Sequence, residues 1–186
     1  MKAKPTHIPG EVTFELGRRD EPLMAAASEA AHKSPFRLKE ILVPIDFSDC
    51  SLKALQYALP LAREHGAAIT LLHVVNPVYL GGELGGMDYA SLEAEMRVSA
   101  DKELNRLIVD EIRGDVPADA RLCAGTPEGN ILAVAKSIPA DLIVIATHGR
   151  TGLKHLFLGS VVEHVVRRAP CPVLVVREHE HEFLAA

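Results

Sequence analysis

The chain has 186 residues and a formal net charge of −5 at pH 7, so it lacks the basic surface of a general nucleic-acid-binding protein. Hydrophobic residues make up 48% and charged residues 24% of it, which is ordinary for one globular domain. No apolar run approaches the ~20 residues that span a bilayer, and no signal-peptide pattern is present. We therefore expect a cytoplasmic protein that binds neither nucleic acid nor membrane.

The first 36 residues have no sustained hydrophobic period and contain several prolines, among them Pro5, Pro9 and Pro22. This pattern predicts a flexible N-terminal extension over residues 1–37, with room for a short helix near residues 24–31. A folded domain is expected over residues 38–178 and a C-terminal tail over residues 179–186.

From residue 39 onward, apolar runs alternate with amphipathic segments. In chain order we predict a strand at 40–46, a helix at 48–66, a strand at 68–75, a loop at 76–89, a helix at 90–113, a strand at 120–124, a helix at 126–137, a strand at 141–147, a helix at 160–168 and a strand at 172–177. Continuous Val, Ile and Leu strands alternating with helices indicate an α/β fold. Its parallel sheet should be doubly wound, with helices on both faces.

In such a sheet, ligands bind beyond the carboxyl ends of the strands, where the winding direction reverses. Asp46 ends the first strand, Val74 lies near the end of the second, and Ala146 and Gly149 follow the fourth. A glycine-bearing loop that leads into a helix can hold phosphate through free backbone N–H groups and the helix dipole. A carboxylate facing that loop can accept the hydroxyl groups of a ribose. The arrangement therefore suits a nucleotide.

Simpler interpretations remain open at this stage. In one of them, the glycines of the loop form turns and bind nothing. In another, Asp46 only caps the helix that follows it. Ser160 and Glu163 match a capping box, in which the serine would be the N-cap of the last helix. The common P-loop and dinucleotide motifs are absent from the sequence. His73, within an apolar strand, is interpreted as a core histidine with its hydrogen bonds satisfied.

Several segments resemble the universal stress protein family in order and without large gaps. Residues 41–48 (ILVPIDFS) resemble the family's first strand and turn, 71–74 (LLHV) its second strand, 125–127 (GTP) the exit of its third strand, and 169–176 (APCPVLVV) its last strand. Gly149, nine further residues and then Gly159-Ser160 match the family's nucleotide signature. Ala146 stands where that signature has its first glycine.

The resemblance implies a five-stranded parallel sheet of order 3-2-1-4-5, usually dimeric, with ATP in the crevice. Carried over by position, the nucleotide-binding residues would be Pro44, Ile45, Asp46, Val74, Ala146, His148, Gly149, Arg150, Gly159, Ser160, Val161 and Val162. Asp46 would bind the ribose or adenine side, and Val74 would contact adenine through its backbone. The segment from Gly159 to Val162 would turn its N–H groups toward phosphate.

We therefore expect a stress-response regulator that holds ATP, ADP or AMP, with Mg²⁺ as an option alongside the triphosphate. It would form a homodimer through its last strand and act through an unidentified protein partner. One alternative is a slow ATPase or autophosphorylating enzyme. The sequence offers no evident general base and no acidic metal pair, so we expect at most weak hydrolysis. The other alternative is a dimeric scaffold without a ligand.

Overall fold

The computed structural model describes residues 2–5, 12–15, 37–76, 89–147 and 159–178. Its contacts divide the chain into two units, Met1–Arg37 and Leu38–Ala186. In the first unit, strands β1 (Lys2–Pro5) and β2 (Val12–Glu15) pair in antiparallel fashion. These two strands were not predicted, because four-residue strands leave too short a hydrophobic pattern to detect. The helix expected near residues 24–31 lies outside the described residues.

The second unit contains a five-stranded sheet whose described ladders are all parallel. Its strands are β3 (Glu40–Pro44), β4 (Ala68–Val75), β5 (Ala118–Ala124), β6 (Leu142–Ala146) and β7 (Val173–Val176). They lie in the order β5-β4-β3-β6-β7. Numbered within the sheet, this is 3-2-1-4-5, so the predicted fold is confirmed. The third strand of the sheet begins two residues earlier than predicted.

Helices cover both faces of this sheet. Neighbouring residues of a strand point to opposite sides, so each face of these apolar strands has its own hydrophobic cluster. The described helices of this unit are α1 (Asp49–His65), α2 (Tyr89–Leu107), α3 (Pro127–Ser137) and α4 (Ser160–Arg168). On one face, Ile41 and Val43 of β3 belong to a cluster with buried residues of α1 and α2. On the other face, Leu42 lies in a cluster with buried residues of α3 and α4.

Both ends of α1 follow the signals in the sequence. The Ser48 side chain accepts a hydrogen bond from the Ser51 amide at 3.3 Å and so caps the first turn. The helix ends at Gly66, whose φ of 65° is left-handed. A residue without a Cβ adopts that conformation at little cost. The predicted stop at Gly66 is confirmed.

The long helix predicted over 90–113 is instead an α-helix that passes into a π-helical turn, Ile108–Ile112. Arg113 closes this turn in a left-handed conformation, with its N–H donated to the Ile108 carbonyl at 3.0 Å. Ile112 is fully buried, whereas Val109 is 70% exposed. The predicted extent of the helix is confirmed to within one residue at each end, but its last turn is wider than predicted, because a period of 3.6 residues does not detect a π-helical turn.

Within the described residues, none of the helices combines the length and the apolar character that crossing a bilayer requires.

The first prediction concerns the N-terminal unit. Both described hydrophobic clusters consist of residues from Leu38 onward. We therefore expect a chain that starts at Arg37 to fold, with a melting temperature within about 2–4 °C of the full-length value, the shift that corresponds to ~1 kcal/mol. Calorimetry of both chains measures this. A larger fall would show that residues 1–36 contribute to the stability of the domain.

Candidate functional site

A cleft of about 540 Å³ lies at the carboxyl ends of β3, β4 and β6, against the first turn of α4. This volume is within the range of sites for small molecules. The winding of the chain reverses here, because α1 follows β3 onto one face of the sheet and α4 follows β6 onto the other. The cleft therefore occupies the place where an open α/β sheet can hold a ligand.

Nine of the twelve residues expected to bind a nucleotide line this single cleft. They are Pro44, Ile45, Asp46, Val74, Ala146, Gly159, Ser160, Val161 and Val162. The other three, His148, Gly149 and Arg150, lie outside the described residues. Most of the separate loop predicted at 76–89, which follows the second strand of the sheet, lies outside them as well. The tertiary structure thus brings together residues from three distant segments of the chain.

Asp46 lies in the turn between β3 and α1. Its Oδ1 accepts hydrogen bonds from the amide of Ser48 at 3.1 Å and from the hydroxyl of Ser48 at 2.5 Å. The Ser51 hydroxyl in turn accepts a hydrogen bond from the Asp46 amide at 3.4 Å and donates one to the Ser48 carbonyl at 2.9 Å. Asp46 therefore supports the capping turn of α1, as one interpretation of the sequence held. It also lines the cleft, so its two possible roles do not exclude one another.

The opposite wall of the cleft is the N-terminus of α4. The N-cap is Gly159, whose carbonyl accepts the first intrahelical hydrogen bond, from the amide of Glu163 at 2.9 Å. The amides of Ser160, Val161 and Val162 precede that bond, so they have no acceptor within the helix. Together with the helix dipole they make this end attractive to an anion.

The predicted helix at 160–168 is confirmed, but the capping-box interpretation is not. Ser160 is the first residue of α4 rather than its N-cap, and among the described residues no side-chain hydrogen bond caps the helix. Within the described part of the chain, Glu163 instead pairs with Arg167 one turn later, at 2.9 Å. The motif failed because the helix begins one residue earlier than a Ser160 N-cap requires, so Glu163 is the fourth helical residue rather than the third. The Ser160 side chain is exposed beside the cleft and is not used in capping.

Gly159 is held close to the end of β6. Its amide donates to the Thr147 carbonyl at 3.2 Å, and the Thr147 amide donates to the Val176 carbonyl at 2.8 Å. A Cβ on Gly159 would lie 3.0 Å from that same Thr147 carbonyl oxygen. The resemblance implied that the Gly159 amide faces phosphate, but here it closes the β6–α4 junction. Within the described part of the chain, the amides of Ser160, Val161 and Val162 are the ones of α4 left without a helical acceptor.

The charge of the cleft is modest. Among the described residues that line it, Asp46 is the only Asp or Glu, and none is Lys or Arg. Over the same described residues, no group of three or more His, Cys, Asp or Glu side chains is arranged to hold a metal ion. The described polar groups of the cleft suit binding by hydrogen bonds and dipoles.

The three cysteines are free thiols outside the lining of the cleft. Cys50 is buried, and its Sγ lies 4.0 Å from the Val176 carbonyl oxygen. Partial burial and, to a smaller extent, the negative charge of Asp141 raise the pKa of Cys171. A raised pKa keeps a thiol protonated and unreactive. These environments give no reason to expect a cysteine nucleophile.

Sequence reasoning missed several residues of the cleft, among them His73, Asn76, Met96 and Thr147. Asn76 directly follows β4, so the strand-end rule that selected Asp46 could have found it. Thr147 could have been found in the same way. Met96 belongs to α2, which was interpreted as a core-facing helix, and no local pattern identifies a helical residue that reaches the end of a distant sheet.

Comparison with known proteins identifies relatives of the whole domain. A family model described as the universal stress protein family matches residues 37–177. The universal stress protein MJ0531 of Methanocaldococcus jannaschii is 32% identical over 144 residues, covering 77% of this chain and 85% of that protein. The structure of the universal stress protein UspA from Lactobacillus plantarum aligns with a TM-score of 0.68 at 28% identity, covering 76% of this chain and 99% of that one.

One similar structure has a bound nucleotide. The universal stress protein from Archaeoglobus fulgidus, solved in complex with dAMP, aligns with a TM-score of 0.53 at 25% identity. The alignment covers 76% of this chain and 99% of that chain.

The second prediction tests the junction at Gly159. Gly159→Ala should lower the free energy of unfolding by about 1–3 kcal/mol, because the new Cβ meets a backbone oxygen that cannot move cheaply. The φ of −57° at this position suits alanine, so the cause is steric. Denaturant unfolding measures the change.

Ser160→Ala is the matched control for that experiment. It should leave stability unchanged, because Ser160 is not the N-cap of α4 and its hydroxyl caps no amide among the described residues. A decrease of ~1 kcal/mol in the free energy of unfolding of this variant would instead show that Ser160 does cap the helix. Equal stability of Gly159→Ala and the unsubstituted chain would refute the tight junction.

Proposed function

The chain belongs to the universal stress protein family, and we propose that it is a regulator that binds an adenine nucleotide in the cleft. The observation that carries the proposal is that Asp46, in the turn after β3, and the first-turn amides of Ser160, Val161 and Val162 line one cleft at the switch point. One wall offers a carboxylate for hydroxyl groups, and the other offers N–H donors for an anion. A nucleotide carries both kinds of group, hydroxyls on its ribose and a charged phosphate.

The rest of the cleft fits the base. Much of its lining is aliphatic, including Leu72, Ile131, Ile145 and Val162. These side chains can enclose a flat aromatic ring, and the nearby backbone of Val74 can read its edge. In our proposal the base lies toward Val74, the ribose toward Asp46 and the phosphates toward α4. The dAMP complex of the Archaeoglobus fulgidus relative supports an adenine nucleotide as the ligand class.

The nucleotide would be ATP, ADP or AMP. With a triphosphate, Mg²⁺ would be coordinated by phosphate oxygens, because the described lining supplies a single carboxylate, that of Asp46, and this is already hydrogen-bonded to Ser48. The same engagement of Asp46 argues against its use as a general base. We therefore propose a binding protein in the cytoplasm that acts through a protein partner, with hydrolysis weak at most. Phosphate release measured under single-turnover conditions distinguishes a protein that only binds ATP from one that hydrolyses it.

The division of the chain also forms part of the proposal. Residues 38–178 would contain the whole nucleotide site, and residues 1–37 and 179–186 would be appendages available for contacts with partners. The two contact units, Met1–Arg37 and Leu38–Ala186, support the first boundary.

The third prediction is that the purified chain binds ATP in a calorimetric titration. Asp46→Asn should weaken that binding by about tenfold or more, because a hydrogen bond to a charged group is lost. Asparagine keeps an oxygen that can accept from Ser48, so the melting temperature should change little.

Asp49→Asn provides the matched control. It removes the same charge from an exposed position in the first turn of α1, outside the cleft, and should leave the affinity for ATP unchanged. Titrations with ADP and AMP, with and without Mg²⁺, define the preferred nucleotide. Absence of binding for all three nucleotides, or equal binding by Asp46→Asn, would disprove the proposal.

We also propose a homodimer formed by pairing of β7 with its two-fold mate. The Pro172 and Val176 carbonyls accept hydrogen bonds from the Ile143 and Thr147 amides on the β6 side. Because backbone groups alternate in direction along a strand, the N–H and C=O groups of Val173 and Val175 point the other way. In the described sheet β7 is an edge strand. An apolar edge with unpaired groups invites a second strand.

The fourth prediction follows from that alternation. The chain should have twice its mass of 20.1 kDa in light scattering at micromolar concentration. Val175→Pro should shift it to monomer, because proline removes an outward N–H while leaving the β6 ladder intact. Val175→Thr keeps the N–H and should remain dimeric. A monomeric unsubstituted chain, or a dimeric Val175→Pro variant, would contradict pairing through β7.

A further inference from the structure

His73 links the end of β4 to the turn that contains Asp46. It is 9% exposed and lines the cleft. Its Nδ1 lies 2.7 Å from the carbonyl oxygen of Ile45. A carbonyl oxygen can only accept a hydrogen bond, so Nδ1 must carry a proton. The ring is therefore a fixed donor to the backbone of the neighbouring strand.

That bond holds the chain where the β3 ladder has ended. The paired residues of β3 and β4 stop at Pro44 and Leu72. Ile45 lies one residue beyond, and its amide still donates to the Leu72 carbonyl at 2.8 Å. Its carbonyl is bound by the His73 ring. Both backbone groups of Ile45 are thus fixed by β4, although one of them is fixed by a side chain.

The ring also contacts the residue on the other side of Asp46. Phe47 has a φ of 64°, a left-handed conformation that a residue with a Cβ adopts only at a cost. Such a conformation persists when the surrounding structure enforces it. The Phe47 ring lies against the His73 ring, with centroids 4.5 Å apart and an interplanar angle of 35°. His73 therefore touches both neighbours of Asp46.

We infer that His73 is a positioning residue for nucleotide binding. By holding Ile45 through a hydrogen bond and Phe47 through a ring contact, it fixes the backbone on both sides of Asp46 and so directs that carboxylate into the cleft. This inference rests on the proposed function, because the role of His73 is expressed through the contact of Asp46 with the ligand. This positioning role differs from a packing role, in which only the volume of the His73 ring would affect nucleotide binding.

Two variants separate these roles. His73→Leu keeps apolar bulk but removes the donor to the Ile45 carbonyl. His73→Asn loses the ring but places an amide N–H donor one bond from Cγ, as in the Nδ1 of histidine. We expect His73→Leu to weaken ATP binding by about tenfold, the loss of one hydrogen bond, and His73→Asn to bind ATP more tightly than His73→Leu. If His73→Leu binds as tightly as the unsubstituted chain, or more tightly than His73→Asn, the inference is overturned.

A double-mutant cycle tests whether His73 acts through Asp46. In the Asp46→Asn background, His73→Leu should change the affinity for ATP much less than in the unsubstituted chain, because the group that it positions has been altered. Full additivity of the two losses would overturn the inference. Melting temperatures measured alongside show whether each variant remains folded.

An NMR measurement on the unsubstituted chain does not depend on any variant. Long-range ¹H–¹⁵N correlation should show His73 protonated at Nδ1 with and without nucleotide, and an unprotonated Nδ1 would refute the hydrogen bond. The two proposals can fail separately. If the chain binds no adenine nucleotide, the proposed function fails and the inference fails with it. If Asp46→Asn weakens binding while His73→Leu does not, only the role of His73 is wrong.

Discussion

The candidate site depends on the pairing of β3 with β6 at the centre of the sheet. These strands lie far apart in the sequence, yet the register places Ile41 opposite Leu142. The helices that follow them leave to opposite faces, so their carboxyl ends diverge and open a cleft. The β6 side is then fixed by two backbone hydrogen bonds, in which the Gly159 amide donates to the Thr147 carbonyl and the Thr147 amide donates to the Val176 carbonyl. These bonds align the first turn of α4.

In the turn after β3, the carboxylate of Asp46 both supports the cap of α1 and lines the cleft. Oδ1 of Asp46 accepts two hydrogen bonds from Ser48, and Ser48 caps α1. A carboxylate held in this way loses little conformational freedom on meeting a ligand, which favours binding. The left-handed conformation of Phe47 has a cost, and the contacts with His73 compensate for it. A strained residue beside a cleft is often found at functional sites.

The described polar groups of the cleft are mostly backbone amides and neutral side chains, with the single carboxylate of Asp46. Dipoles of this kind can bind an anion, and this chemistry is the basis of the proposal of a binding protein. The dimer that we propose would leave the cleft unobstructed, because the outward groups of β7 lie at the edge of the sheet while the cleft opens at its carboxyl end.

The sequence by itself determined the parallel α/β sheet, its strand order through the family resemblance, the stop of α1 at Gly66 and the placement of Asp46 at a strand end. These features depend on local periodicity, on single residues such as a left-handed glycine, or on motifs with fixed spacing. Only the tertiary structure decided the π-helical turn before Arg113, the N-cap role of Gly159, the contact of Gly159 with Thr147 and the bond from His73 to Ile45. These features depend on contacts between segments that are remote in sequence. The periodic pattern of one segment does not specify which atoms of another segment it will contact.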